Sequence, residues 1–276
     1  MRDFGLTIRM AIVGSILFGF YIVVALFISA ALDVPILPVL VAGIVLLPAA
    51  QYKIGKWLSL RNVGAEDMPE YGQYQRIHHM TESLSRDMGI DKPRLMVAQM
   101  GVPNAFATGR RGAGVVVVST ELIQILEPDE LEGVIAHEIA HIRNRDVITM
   151  VIGQSIATIV GYVVFFAIRF GGRNNIAAYF LAILGSMIAN FIVMLFVLAI
   201  SRYREYIADA DAKRAIGSGD PLARALEKIS STSQQVDSEL DDSVAALCIL
   251  NTDRSIFQQI LSTHPPTEKR IARLRS

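Results

Sequence analysis

Two long uncharged stretches in the second half of the sequence restrict the fold most strongly. Residues 147–168 and residues 176–200 contain no Asp, Glu, Lys or Arg, and a short segment that includes Arg169 and Arg173 separates them. About 20 apolar helical residues cross the hydrocarbon core of a bilayer. The pattern therefore predicts a hairpin of two membrane-spanning helices. The alternative is a pair of buried helices in a soluble core, for which such runs are long.

The N-terminal part of the chain repeats this pattern less regularly. Residues 10–32 are uncharged and follow a short basic start, which is also typical of a signal peptide. A second apolar segment, residues 34–50, follows after only Asp33, which favours a hairpin of two spans over a cleaved signal. The second segment carries three prolines, so it either spans the bilayer or enters it and returns.

The composition agrees with membrane spans and excludes some other classes of protein. Hydrophobic residues make up 52% of the chain and the mean hydropathy is +0.42, both above the values of soluble domains. The formal net charge is zero, so we expect no nucleic-acid partner. The single cysteine, Cys248, excludes an intramolecular disulfide and a thiolate metal site, and we expect a buried thiol.

One short motif carries most of the chemical information. His137, Glu138 and His141 form the pattern H-E-x-x-H, which follows a helix start at Pro128. Residues four apart lie on one face of a helix, so the two imidazoles can reach one metal ion while the carboxylate faces a metal-bound water. The motif therefore predicts a metal-dependent hydrolytic centre.

Two histidines do not complete a catalytic zinc site, which normally has three protein ligands. The chain offers three further histidines, His78, His79 and His264, and several carboxylates. Glu205 is the best placed of these, because it closely follows the last uncharged run, and a membrane hairpin would return the chain to the face it left. Asp209 shares the helical face of Glu205 and could accept a hydrogen bond from a ligating imidazole. The alternative for both carboxylates is a charged cap where a span meets water.

Three β-rich stretches precede the motif. They are residues 94–99, 105–108 and 114–118, and glycine-containing turns separate them. Short strands with such turns predict a small antiparallel sheet connected by hairpins.

The basic residues beside the spans predict the orientation in the membrane. The side richer in Lys and Arg should be cytoplasmic, and it would carry Arg2, Arg9, Lys53, Lys56, Arg143, Arg145, Arg202 and Arg204 against Arg169 and Arg173. We therefore expect residues 1–50 to form a membrane hairpin and residues 147–200 a second one. Residues 51–146 and 201–276 would then meet in the cytoplasm as the two parts of one catalytic domain.

Three separate segments of the chain resemble those of one family. They are HEIAHIRNRD at residues 137–146, SRYREYIAD at residues 201–209 and STHPPTEKRI at residues 262–271. Together they resemble the HtpX-type membrane zinc metalloproteases, which belong to the gluzincin group and are related to the CAAX prenyl endoproteases. The resemblance extends from the N-terminal spans to the end of the chain.

The resemblance implies a fold and a set of metal ligands. The fold would be a mainly α-helical integral membrane protein with a cytoplasmic zincin-like α+β catalytic domain that carries a small antiparallel sheet. His137, His141 and Glu205 would bind one Zn²⁺ per chain, and Glu138 would be the general base. Iron(II) can use the same kind of ligand set.

Two further site assignments follow from the resemblance. Asn104, Ala105, Phe106 and Ala107 would form a substrate-binding edge to which an extended peptide adds as a strand; the alternative is a purely structural hairpin. His264 would be a second catalytic residue, which donates to the oxyanion or binds zinc in a resting state. The alternative for His264 is a helix-capping histidine.

The predicted function is that of a multi-pass zinc endopeptidase of the plasma or inner membrane. Its catalytic domain would face the cytoplasm, and its partners would be polypeptides, chiefly misfolded or damaged membrane proteins, in quality control and stress response. The sequence does not predict an oligomeric state. One alternative is a prenyl-protein processing endopeptidase, although that group has more spans. The other is a non-catalytic zinc-binding membrane scaffold or transporter, but transporters usually carry ionisable groups inside their spans and none occurs here.

Overall fold

The computed structural model describes residues 26–35, 38–39, 47–171, 176–235 and 265–276. Most of the first predicted span lies outside these ranges, and so do Cys248 and His264. The described residues are mainly helical. Their helices with defined bounds are α1 (Leu47–Asn62), α2 (Gln75–Asp87), α3 (Thr120–Ile125), α4 (Pro128–Asn144), α5 (Asp146–Gly171), α6 (Ile176–Ile216), α7 (Asp220–Gln235) and α8 (Thr267–Arg275).

The chain divides into two compact units. The first unit contains Met1–Lys53 and Ile148–Tyr203, and the second contains Ile54–Val147 and Arg204–Ser276. The predicted assignment of domains to membrane and cytoplasm remains a prediction.

The first unit contains most of the two long apolar helices. By length and composition, α5 and α6 could each cross a membrane, with mean hydropathies of 2.0 and 2.6 in their apolar parts. They approach each other closely where α5 has small residues: a Cβ on Gly153 would lie 3.1 Å from the Val197 side chain. In the most apolar stretch of each helix, only 28% of α5 and 22% of α6 is buried. So much exposed apolar surface argues against the alternative of two buried helices in a soluble core.

The second unit contains a four-stranded mixed sheet. Its strands are β1 (Glu66–Asp67), β2 (Arg94–Ala98), β3 (Ala105–Thr108) and β4 (Val115–Ser119), in the order β1-β2-β4-β3. The predicted antiparallel sheet is wrong in one pairing, because β2 and β4 run parallel, while β1–β2 and β3–β4 are antiparallel. All five residues of β4 are buried. A strand that is apolar on both faces is most stable in the sheet interior, so β4 lies between β2 and β3.

Helix α4 packs its apolar face against this sheet and against α7. Ile135 and Ile139 of α4 belong to the same buried cluster as Val116 and Val118 of β4. Glu127 and Glu130 form a capping box at the start of α4, and Pro128 occupies its first turn. The helix ends where Arg145 adopts a left-handed conformation with φ of 58°. Both ends of the helix that carries the H-E-x-x-H motif are therefore fixed by local structure.

Candidate metal centre

Three side chains from α4 and α6 converge in the second unit. His137 and His141 lie one turn apart on α4, and their Nε2 atoms are 3.0 Å from each other. The Glu205 carboxylate on α6 lies 3.5 Å from each of these nitrogens, through Oε2 to His137 and Oε1 to His141. One possible ligand atom from each residue lies within 4.8 Å of the others. The structure thus brings together the three side chains that were predicted as ligands.

These separations fit a single bound metal ion. In a tetrahedral zinc site with ligand bonds of about 2.0 to 2.1 Å, neighbouring ligand atoms lie about 3.3 Å apart. The distances of 3.0 to 3.5 Å between the two imidazole nitrogens and the carboxylate oxygens are close to this value. Two imidazoles and one carboxylate are also the donor set of many catalytic zinc sites, whereas magnesium and calcium favour oxygen ligands.

A carboxylate holds the outer nitrogen of each imidazole. Asp209 Oδ1 lies 3.0 Å from His137 Nδ1, and Asp146 Oδ2 lies 2.6 Å from His141 Nδ1. A carboxylate at Nδ1 favours the tautomer with its proton there, so Nε2 of each ring is left to bind the metal. Asp209 was predicted to lie here, but Asp146 was not.

Arg270 is a further member of the site that the sequence analysis did not assign. It comes from α8, is only 1% exposed, and forms a two-point hydrogen bond with the Asp209 carboxylate at 2.9 and 2.7 Å. Its Nη1 also lies 3.3 Å from Glu205 Oε2. One buried cation therefore compensates two carboxylates. The only sequence signal was the position of Arg270 inside the segment at residues 262–271.

The charges around the two imidazoles shift their pKa values in opposite directions. Burial and the Arg270 charge lower the pKa of His137, but hydrogen bonds to Asp209 and Glu205 outweigh both and raise it to about 9. Burial and the neighbouring His137 lower the pKa of His141. Imidazoles bind metals in their neutral form, so metal binding at His137 competes with protonation of this ring.

Glu138 is positioned beside the ligands by its place on α4. Its side chain is only 3% exposed, and its charge acts on both His141 and Arg270. A carboxylate next to the ligating imidazoles in a site largely closed to solvent can exchange protons with a bound reactant.

A second arginine supports Asp146. Arg204, which directly precedes Glu205, contacts the Asp146 carboxylate and donates to the Asn144 carbonyl at 2.6 Å. Asn144 also donates to Asp211 at 3.0 Å. The end of α4 is therefore held to α6 beside both His141 and Glu205.

The Asp146→Asn variant is expected to bind zinc about 10- to 100-fold more weakly, because it loses the carboxylate that orients His141. Isothermal titration of the purified chain with zinc measures this change. The matched control is Asp129→Asn, which replaces an exposed carboxylate at the other end of α4 that pairs with Arg224. Equal zinc affinities in the two variants and the wild type would contradict the role of Asp146.

The predicted substrate-binding residues lie on the edge strand of the sheet and just before it. β3 pairs with β4 on one side, and among the described residues no strand pairs with its other side. β3 also contacts α4. Asn104 is fully buried. Its main-chain carbonyl accepts a hydrogen bond from the Ser119 amide, and its amide donates to the Ser119 hydroxyl, so its role is at least structural. Ala107 is half-buried.

Of the other histidines considered as ligands, the two that the structure describes, His78 and His79, are not part of the metal centre. His78 is buried on α2, and its Nε2 lies 3.1 Å from the Met68 carbonyl. His79 is exposed. His264 lies outside the described residues.

The fold and the three converging side chains define a metal-dependent hydrolase, and comparison with known proteins gives the family. Residues 72–276 match the profile of peptidase family M48, and the chain belongs to this family. The chain is 56% identical to a protein named Protease HtpX homolog from Halobacterium salinarum, over 97% of this chain and 100% of that protein. It is 42% identical to a protein of the same name from Pyrococcus furiosus, over 79% of this chain and 77% of that protein.

A solved structure shares the fold. The crystal structure of S. mikatae Ste24p matches 97% of this chain with a TM-score of 0.59 and 22% sequence identity. The chain spans 63% of the length of that protein. The predicted resemblance is confirmed by the family and its relatives, and so is the prediction of a membrane metalloprotease.

Proposed function

We propose that this metalloprotease is a zinc endopeptidase in which His137, His141 and Glu205 hold one zinc ion. The observation that carries the proposal is the convergence of one ligand atom from each residue within 4.8 Å, with Glu138 next in sequence to His137. Zinc held by these residues would supply a Lewis acid that polarises the scissile carbonyl and makes the attacking water more acidic.

The chain's own residues then move one proton and hold the geometry. The Glu138 carboxylate accepts the proton of the attacking water and delivers it to the leaving amine. Asp209 and Asp146 keep the two imidazoles oriented, because each holds an Nδ1 atom. Arg270 offsets the charge of Asp209 and Glu205, so that the buried carboxylates can stay ionised.

The substrate would bind as an extended strand along the free edge of β3. Main-chain groups on this edge can pair with a peptide without reading its side chains. Such pairing suits an enzyme that cleaves many unfolded sequences. The residues assigned to this edge are Asn104, Ala105, Phe106 and Ala107, and the contact between β3 and α4 supports the assignment.

The proposed setting is a multi-pass location in the plasma or inner membrane with the catalytic domain in the cytoplasm. The apolar helices α5 and α6 and the excess of basic residues beside them support it. Substrates would be misfolded or damaged membrane proteins. His264 would act on the oxyanion or bind zinc in a resting state, and a His264→Ala variant with unchanged turnover and zinc affinity would refute that role.

A cleavage assay with metal removal tests the proposed function. The full chain in detergent should cleave casein, lose the activity with a chelator, and regain it with zinc but not with magnesium. The same preparation in proteoliposomes should cleave a destabilised membrane protein faster than its folded form. Chelator-resistant cleavage would contradict the metal mechanism, and equal rates for the two membrane substrates would contradict the proposed substrate class.

A further inference from the structure

Helix α1 carries an exposed apolar face within the second unit. Ile54, Trp57 and Leu58 are 56%, 55% and 42% exposed, and their spacing places them on one side of the helix. Among the described residues of the second unit, the only other exposed large apolar side chain is Tyr71. The unit thus buries its large apolar side chains almost everywhere except on this face.

The opposite side of α1 is fixed to the unit. Leu60 packs against a buried cluster that contains Val63, just after the helix, and Val117 of β4. Lys56 donates to the Ala113 carbonyl at 2.8 Å, which ties the helix to the turn between β3 and β4. The packed side holds α1 in one orientation, so the exposed face points outward as a defined surface.

The charged residues of α1 itself are all basic. The Arg61 guanidinium lies 4.9 Å from the centre of the Trp57 ring, and Lys53 is exposed one position before Ile54. The sequence of α1 contains no acidic residue. Aromatic and apolar side chains flanked by Lys and Arg are typical of protein surfaces that contact the headgroup layer of a bilayer with anionic lipids.

The position of α1 in the chain also indicates a lipid bilayer as the partner of this face. The described part of the helix includes Leu47–Ala50, which belong to the apolar segment at residues 34–50. Trp57 follows Ala50 by about 10 Å along a helix axis, whereas the headgroup layer is only about 5 to 8 Å thick on each side. A helix that left the membrane upright would carry Trp57 past this layer, but an oblique helix keeps the whole exposed face within it.

We propose that Ile54, Trp57 and Leu58, with Lys53 and Arg61 beside them, insert obliquely into the headgroup layer of an anionic phospholipid bilayer. The proposal rests on the membrane location proposed above but not on proteolytic activity. The face would hold the second unit to the lipid surface, in addition to the spans themselves.

The fluorescence of Trp57 tests the proposal directly, since it is the only tryptophan of the chain. The full chain is reconstituted in vesicles of phosphatidylcholine and phosphatidylglycerol. Lipids brominated near the headgroup should quench Trp57 several-fold more than lipids brominated at the chain ends, and aqueous acrylamide should quench it weakly. Strong quenching by acrylamide without quenching by bromolipids would overturn the proposal. Protection from both quenchers would overturn it as well, because the face would then be covered by protein, such as a second copy of the chain.

Two variants make the result specific. In Trp57→Phe combined with Tyr71→Trp, the new tryptophan should be quenched by acrylamide and not by bromolipids. Similar quenching of both positions would contradict a defined interfacial face.

In Lys53→Gln combined with Arg61→Gln, phosphatidylglycerol should increase bromolipid quenching of Trp57 less than in the wild type. An equal increase would exclude the role of the two charges. Carbonate extraction of each preparation shows separately whether the chain is in the bilayer.

Discussion

Replacement of Glu138 by Gln is expected to lower kcat for peptide cleavage by about 10²- to 10⁴-fold, the range that a positioned general base contributes. The amide keeps the shape of the side chain but cannot accept the proton of the attacking water. The metal ligands His137, His141 and Glu205 are unchanged, so metal binding should persist. Cleavage of casein by purified chains, with the metal content determined in the same samples, measures both effects.

Glu132→Gln is the matched control for this variant. Glu132 lies on the same helix, is half-buried, and is not part of the metal centre. It should retain cleavage close to that of the wild type. If Glu138→Gln kept more than about a tenth of the wild-type activity after contaminating proteases had been excluded, the assignment of Glu138 as the base would be wrong, since a lost base costs at least about 100-fold.

Replacement of Arg270 by Met is expected to destabilise the second unit by about 3 to 5 kcal/mol, the usual cost of removing one partner from a buried ionic cluster. Arg270 is 1% exposed and compensates both Asp209 and Glu205, so its loss leaves two buried carboxylates without the charge of their arginine partner. Added zinc should recover part of this stability, because a cation bound by Glu205 supplies the missing charge. Thermal unfolding in detergent, followed by circular dichroism with and without zinc, measures both changes.

Arg275→Met is the matched control, because it removes another arginine from α8 that is not part of the buried cluster. Arg275 is exposed and pairs with Glu227 at 2.7 Å on the surface. Exposed pairs contribute little to stability, so this variant should unfold close to the wild type. An Arg270→Met chain with wild-type unfolding and no added response to zinc would contradict the compensating role of Arg270.

Local geometry explains why part of the centre was predictable from the sequence. His137 and His141 face the same way because they are four apart on a helix, which depends on no other part of the fold. Glu205 was the best candidate third ligand because uncharged runs on both sides of a short connection indicated that the chain returns. In the structure these three residues lie together.

The site residues that the sequence did not predict reach the metal centre through long-range packing or through a local break in the helix. Residues five apart on a continuous helix do not face each other, so Asp146 would not meet His141. Arg145 adopts a left-handed conformation between α4 and α5, and this break brings Asp146 to His141 Nδ1. The partner of Arg270 is set by the docking of α8. The parallel pairing of β2 with β4 was missed for a similar reason. It depends on the order of the strands in the sheet, which the lengths of the strands and the sequences of the turns do not determine.

The metal content of the Glu205→Ala variant tests the central claim most directly. Elemental analysis should find about one zinc ion per wild-type chain and per Glu138→Gln chain, and a large loss of zinc from Glu205→Ala, since catalytic zinc sites normally use three protein ligands. A Glu205→Ala chain that retains zinc with the stoichiometry and affinity of the wild type would contradict the assignment of His137, His141 and Glu205 as the metal ligands.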